Sequence, residues 1–117
     1  MTTIAAAVED LLNNRHMTVA DAMDRHFGPH FRQCTNGNWD DRPAVFARIV
    51  HLREVVSHAA ITVFDELAEG RSYAERHRIE LKQRDGSQTV KEVCVFAERD
   101  ADGRFTRIDE VAVNAEP

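Results

Sequence analysis

The segment from Arg71 to Arg84 alternates between two kinds of side chain, and this alternation predicts a β-strand. One set of alternate positions holds an aromatic ring, a carboxylate, an imidazole and two aliphatic chains: Tyr73, Glu75, His77, Ile79 and Leu81. The other set is mainly charged: Ser72, Ala74, Arg76, Arg78, Glu80 and Lys82. Strands of this kind normally turn their apolar side to the core. Glu75 and His77 are therefore predicted to face the interior.

Helical spacing of apolar residues predicts two helices near the start of the chain. In the first, the apolar positions lie three or four residues apart: Ile4, Val8, Leu11 and Leu12. The second, shorter helix should begin after Thr18, whose hydroxyl can cap it, and should end at Gly28-Pro29. Phe31 then lies in a segment, 30–35, that predicts a short edge strand, and Asn36-Gly37-Asn38 favours a turn.

A third helix is predicted after Asp41, a suitable N-cap, with Pro43 in its first turn. Its apolar positions form one stripe: Val45, Ile49, Leu52 and Val56. The later sequence favours four strands separated by three tight turns, at Glu69-Gly70, Asp85-Gly86 and Asp102-Gly103. The predicted order is αα(β)αββββ, an α+β fold in which the helices pack on an antiparallel sheet.

A two-residue turn at Asp85-Gly86 would set the register of the two strands beside it. In that register Glu75 lies opposite Phe96, and His77 lies opposite Cys94. The other face of the sheet would then carry four residues of mixed character: Val93, Val95, Arg76 and Arg78. That face is too apolar for open solvent, so we expect a homodimer formed through the sheet.

Composition limits the protein to a few classes. The 117 residues are 43% hydrophobic and 30% charged, which predicts one globular domain over 1–117. A net charge of −5 without a basic cluster disfavours nucleic acid as a partner. The N-terminal segment 1–12 mixes acidic and apolar residues, so we expect no membrane partner and a cytoplasmic location. Cys34 and Cys94 have no metal-ligand spacing and are expected to be buried free thiols.

The order of elements, together with the run VKEVCVFAERDADGRF, resembles the nuclear transport factor 2-like superfamily, and in particular its SnoaL-like branch of small bacterial proteins. The resemblance implies a cone-shaped, cystatin-like α+β fold whose strongly curved antiparallel sheet and helices enclose a pocket. It also implies frequent dimers and a range of activities: ketosteroid isomerases, polyketide cyclases, epoxide hydrolases and dehydratases. The acid–base residue sets of those enzymes do not match this sequence residue by residue.

Glu75 and His77 are the candidate acid–base residues, because a buried carboxylate and imidazole two residues apart on one strand can act on one substrate. Tyr73 could stabilise developing charge through its hydroxyl. Asp65 or Glu66 could serve as the base instead. The alternative is that Glu75 and His77 form a buried structural pair, and that Tyr73 only satisfies its own hydrogen bond.

The candidate ligand-binding residues are mostly apolar: Phe31, Trp39, Cys94 and Phe96. Trp39 could close the mouth of the pocket, or it could belong to the core. No metal and no cofactor are expected, since the remaining histidines lack ligand spacing. The sequence thus predicts a protein that binds a small apolar molecule, as an isomerase, cyclase or dehydratase using acid–base chemistry. The alternative is a non-catalytic dimeric module for ligand binding or interaction.

Overall fold

The computed structural model describes residues 1–116. Its elements follow one another in this order: α1 (Ile4–Val8), a π-helical turn (Glu9–Asn13), α2 (Val19–His26), β1 (Phe27–Thr35), β2 (Asn38–Asp41), α3 (Arg42–Val55), β3 (Val56–Glu69), β4 (Ser72–Gln83), β5 (Gln88–Arg99) and β6 (Phe105–Asn114). The predicted α+β class and the predicted order of elements are confirmed. Strand β2 was not predicted, because its four residues carry no alternating pattern.

The helix starts follow their predicted caps. Thr18 Oγ1 accepts a hydrogen bond from Asp21 N at 3.0 Å, and Asp41 Oδ1 accepts one from Ala44 N at 3.0 Å. Each bond satisfies a backbone N–H that the first helical turn would otherwise leave unpaired. Helix α2 ends at His26, slightly earlier than its Gly-Pro signal predicts, because the chain enters β1 immediately afterwards.

The six strands form one open sheet in the order β2-β1-β6-β5-β4-β3. Strands β3 to β6 form the predicted antiparallel meander. Strand β1, however, runs parallel to β6, so the sheet is mixed and the expectation of a wholly antiparallel sheet is wrong. Parallel neighbours lie far apart in the sequence, and no local turn signal encodes their pairing. One hydrophobic cluster joins residues of all three helices to one face of this sheet.

The turn between β4 and β5 differs by one residue from its prediction. The loop has three residues, 84–86, because Gln83 N donates to Ser87 O at 2.9 Å. Gly86 closes the loop at a φ of 92°, a left-handed conformation that glycine adopts without strain. The extra residue pairs Glu75 with Val95 and His77 with Val93, instead of with Phe96 and Cys94.

Because successive side chains on a strand point to opposite faces, this shift exchanges the two faces of β5. Val93 and Val95 lie in the core, and the prediction that they form an outer dimer patch is wrong. Cys94 and Phe96 lie on the outer face instead, where Phe96 is 51% exposed. Cys94 is therefore an exposed thiol, in contrast to the buried one expected, whereas Cys34 is buried as predicted.

The outer face of the sheet remains partly apolar after this correction. It carries several large exposed hydrophobic side chains from three strands, β3, β5 and β6: Phe64, Leu67, Phe96, Val111 and Val113. None of the helices in residues 1–116 is long and apolar enough to cross a membrane.

Candidate functional site

A cavity of about 230 Å³ lies between the helices and the inner face of the sheet. Its walls are largely aliphatic, with contributions from α1, the π-helical turn, α3 and the central strands. Five polar side chains also line it: Gln33, Thr35, His77, Lys91 and Glu110. An apolar cavity with a few polar groups is the usual form of a small-molecule site.

Glu75 and His77 form the most deeply buried polar pair at this cavity. His77 Nδ1 lies 2.5 Å from Glu75 Oε1, and their side chains are 5% and 0% exposed. When Nδ1 carries the ring proton and donates a hydrogen bond to the carboxylate, the other ring nitrogen, Nε2, is left as an acceptor. No described hydrogen bond within residues 1–116 uses His77 Nε2, and His77 lines the cavity. The imidazole therefore presents an unpaired nitrogen to an apolar space.

The predicted inward orientation of Tyr73, Glu75 and His77 is confirmed by their burial. Glu75 itself does not line the cavity and contacts it only through His77. Its second oxygen, Oε2, is buried without a hydrogen-bond partner in the described chain. Burying a carboxylate oxygen without a hydrogen-bond partner lowers the stability of the fold, and residues with this kind of unfavourable burial are often found at functional sites.

Tyr73 is bound into the structure outside the cavity. Its hydroxyl donates to Glu66 Oε2 and accepts from Ile4 N at 3.3 Å. Burial, together with the hydrogen bond to Glu66, raises the pKa of the Tyr73 hydroxyl well above its usual range. The ring also packs edge-on against Phe105 and under the guanidinium of Arg99. The hydroxyl therefore links α1 to the sheet through hydrogen bonds, and the expectation that it lies in the pocket is wrong.

Asp65 and Glu66 occupy opposite faces of β3, as predicted. Asp65 pairs with Arg76 at 3.2 Å on the outer face and is exposed, so it cannot act in the cavity. Glu66 lies opposite Glu75 in the register, but its carboxylate accepts a hydrogen bond from the Tyr73 hydroxyl and does not line the cavity.

The predicted ligand-binding residues lie elsewhere. Phe31 is buried and stacks on Phe27 at 3.9 Å, but only Phe27 lines the cavity. Trp39 is 47% exposed on the edge strand β2, under the guanidinium of Arg32, and neither closes the cavity nor joins the core. Cys94 and Phe96 are on the outer face because of the register shift. All four expected placements in the pocket are wrong.

Glu110 is a cavity residue that sequence reasoning missed. Its Oε1 accepts hydrogen bonds from Gln33 Nε2 at 3.0 Å and from Thr35 Oγ1 at 2.9 Å. The only local signal is that Glu110 lies two residues after the buried Ile108, which places both on one face of β6. Gln33 and Thr35 join it through the parallel pairing of β1 with β6, which no short-range pattern predicts.

A second polar chain lies away from the cavity, at the N-terminal end. Thr2 Oγ1 is 2.5 Å from His26 Nδ1, and His26 Nε2 is 2.7 Å from Asp10 Oδ2. Burial opposes ionisation of Asp10, but the hydrogen bonds that it accepts outweigh burial and lower its pKa. This chain connects the N-terminal segment to α2. Among residues 1–116, no group of three or more potential ligands is arranged to hold a metal ion.

No protein-family model matches the sequence, and no curated protein is significantly similar to it. Solved structures do match. A proposed isomerase from Rhodopseudomonas palustris superposes with a TM-score of 0.74 at 12% identity, over 92% of this chain and 84% of that one. IdmH, a proposed polyketide cyclase from Streptomyces antibioticus, gives 0.71 at 12% identity, over 93% and 88%.

A third structure is described as having a ketosteroid isomerase-like fold. It comes from Catenulispora acidiphila, was solved with trimethylamine, and gives a TM-score of 0.69 at 7% identity, over 92% of this chain and 82% of that one. The chain has the nuclear transport factor 2-like fold. This confirms the fold that the sequence resemblance implied. At these identities the nuclear transport factor 2-like fold says nothing about the substrate.

Proposed function

We propose that the protein catalyses proton transfer on a small, largely apolar carbon acid, as an isomerase or cyclase does, with His77 as the base. The observation that carries this proposal is the contact between His77 Nδ1 and Glu75 Oε1, with His77 Nε2 left unpaired at an apolar cavity. The proposed isomerase and cyclase with the same fold support the reaction class.

The roles follow from the chemistry of the pair. Nε2 would remove a proton from carbon, and Glu75 would hold the ring in the correct tautomer and stabilise the imidazolium that forms. Return of the proton to another carbon completes an isomerisation. Attack of the carbanion on a carbonyl gives an alkoxide, and return of the proton from His77 to that oxygen completes a cyclisation. The aliphatic walls exclude water, which would otherwise compete for the base.

The size of the cavity limits the substrate. Its volume of about 230 Å³ is below the roughly 300 Å³ at which sites for drug-sized ligands begin. One or two rings therefore fit better than the four rings of a steroid. The small size also recommends a small test substrate.

The test uses nitrobenzisoxazole, a two-ring compound whose N–O bond breaks to give a coloured phenolate when a base removes the proton on its isoxazole carbon. We expect saturable acceleration by the wild type. His77→Gln should lower the rate about 100-fold or more, within the range usual for general bases. Glu75→Gln should also lower it, since a neutral amide cannot stabilise the imidazolium that forms as the carboxylate does.

His58→Gln is the matched control, because His58 is exposed on β3 and does not line the cavity. It should keep the wild-type rate. Equal rates for the wild type and His77→Gln would contradict the proposal. Saturable binding of the probe without acceleration would instead favour the alternative function, a ligand-binding module.

A further inference from the structure

Glu110 is held through only one of its two carboxylate oxygens. Gln33 Nε2 and Thr35 Oγ1 both donate to Oε1, so these two donors fix the orientation of the carboxylate. No hydrogen bond or ion pair described for residues 1–116 uses Oε2, although Glu110 lines the cavity and is only half-buried. Oε2 is therefore an oriented acceptor with no protein partner.

Glu110 lies across the sheet from Glu75, the partner of the proposed base. Val95 pairs with Glu75 on one side and with Glu110 on the other, so the three residues form one row across β4, β5 and β6. Two strand spacings separate the backbones of Glu75 and Glu110 by about 10 Å. His77 lies on the same inner face of β4, so His77 and Glu110 line the cavity from two different strands. A two-ring molecule is long enough to contact both.

The charge of Lys91 limits which kinds of ligand group Glu110 would bind. It also lines the cavity, and none of the ion pairs described for residues 1–116 includes it. A free ammonium there disfavours a cationic ligand. A neutral hydroxyl can still donate to Glu110.

We propose that Glu110 Oε2 binds a hydroxyl group at the end of the substrate opposite the carbon that His77 deprotonates. The substrate is then a hydroxylated one- or two-ring compound, and not a pure hydrocarbon. This inference rests on the proposed function for its choice of cavity, but it is tested by binding alone, without turnover.

The test compares naphthol with its methyl ether, which has the same rings but no hydroxyl donor. Affinities are measured by calorimetry or by competition. The wild type should prefer naphthol about tenfold, because a hydrogen bond from a neutral donor to a half-buried carboxylate contributes roughly that factor. Glu110→Gln should abolish or reverse the preference. Its carbonyl must face the donors Gln33 and Thr35, which turns the amide N–H₂ toward the ligand.

Two further variants separate the possible outcomes. Glu92→Gln makes the same change of charge at an exposed position on the outer face and should keep the tenfold preference. His77→Gln should also keep it. If His77→Gln removes the preference, the hydroxyl binds at the base and the inference is wrong. It is equally wrong if Glu110→Gln leaves the preference unchanged or if neither compound binds.

Failure of this inference and failure of the proposed function are distinguishable. The rate with nitrobenzisoxazole reports on His77, whereas the ratio of the two affinities reports on Glu110. The protein could show a tenfold ratio of affinities that depends on Glu110 and yet not accelerate proton transfer. That result would support the hydroxyl site and contradict the catalytic role of His77.

Discussion

At the scale of the residue, two polar side chains on β4 have opposite uses although they lie on the same face. The hydroxyl of Tyr73 accepts from Ile4 N and donates its only proton to Glu66, so it has no proton left to donate to a ligand. His77 has one ring nitrogen bound to Glu75 and the other unpaired at the cavity. Hydrogen-bond partners, and not burial or residue type, separate the structural group from the candidate catalytic one.

The first prediction at this scale concerns Tyr73→Phe. The change leaves Ile4 N without its partner, so the free energy of unfolding should fall by about 1–2 kcal/mol in urea titrations near neutral pH. The raised pKa of Tyr73 adds a pH dependence. Above about pH 10 the unfolded tyrosine ionises while the folded one keeps its proton, so wild-type stability decreases as the pH rises.

Phenylalanine has no such proton, so the stability difference between the wild type and Tyr73→Phe should be smaller at about pH 11 than at about pH 8. Tyr73 is the only tyrosine in the chain, so tyrosinate absorbance follows its ionisation directly. A difference in free energy of unfolding that is equal at both pH values would show that the hydroxyl is not bound as described.

At the scale of the element, the three-residue loop between β4 and β5 decides which residues line the cavity. The left-handed Gly86 allows a third loop residue, and one residue is enough to exchange the faces of β5. Val95 then packs in the core at 4% exposure, while Phe96 lies outside at 51%.

A pair of variants tests this register. Val95→Glu buries a carboxylate among aliphatic side chains and should lower the free energy of unfolding by about 3 kcal/mol or more. A loss of that size is enough to prevent a marginally stable domain from folding. Phe96→Glu introduces the same charge on the exposed face and should change the free energy of unfolding by roughly 1 kcal/mol or less. Circular dichroism with thermal unfolding measures both. A two-residue turn would place Phe96 inside and Val95 outside, and would therefore make Phe96→Glu the more destabilising change. A folded Val95→Glu with an unfolded Phe96→Glu would support that register.

At the scale of the whole molecule, the apolar outer face of the sheet favours association with a second copy. Exposed apolar side chains alternate there with charges of both signs, including Arg76 and Glu92. A two-fold axis can bring the same surface of two copies together so that opposite charges meet. We therefore still expect a homodimer, formed by the residues of the outer face and not by Val93 and Val95.

Light scattering at micromolar concentration tests the assembly. The wild type should have twice the mass of the 13.3 kDa chain. Val111→Glu, at a position 61% exposed on the outer face, should give a folded monomer. Ala101→Glu adds the same charge at the exposed hairpin tip and should leave the dimer intact. A wild-type monomer would remove the expectation of a dimer.

The sequence by itself determined the elements other than β2, and it determined the inward face of β4. Alternation over Arg71 to Arg84 placed Tyr73, Glu75 and His77 inside, because a strand has only two faces and one of them carried most of the charge. Thr18 and Asp41 marked two helix starts correctly, because the cap and the N–H that it binds lie three residues apart. These are local relations, and local patterns encode them.

Only the tertiary structure decided which neighbours these residues meet. A single loop residue moved Cys94 and Phe96 out of the cavity, since register depends on the geometry of the turn as well as on its position. The parallel contact between β1 and β6 brought Gln33 and Thr35 to Glu110, across more than seventy residues of chain. Such contacts form because the whole core packs at once, so they cannot be derived from one segment at a time.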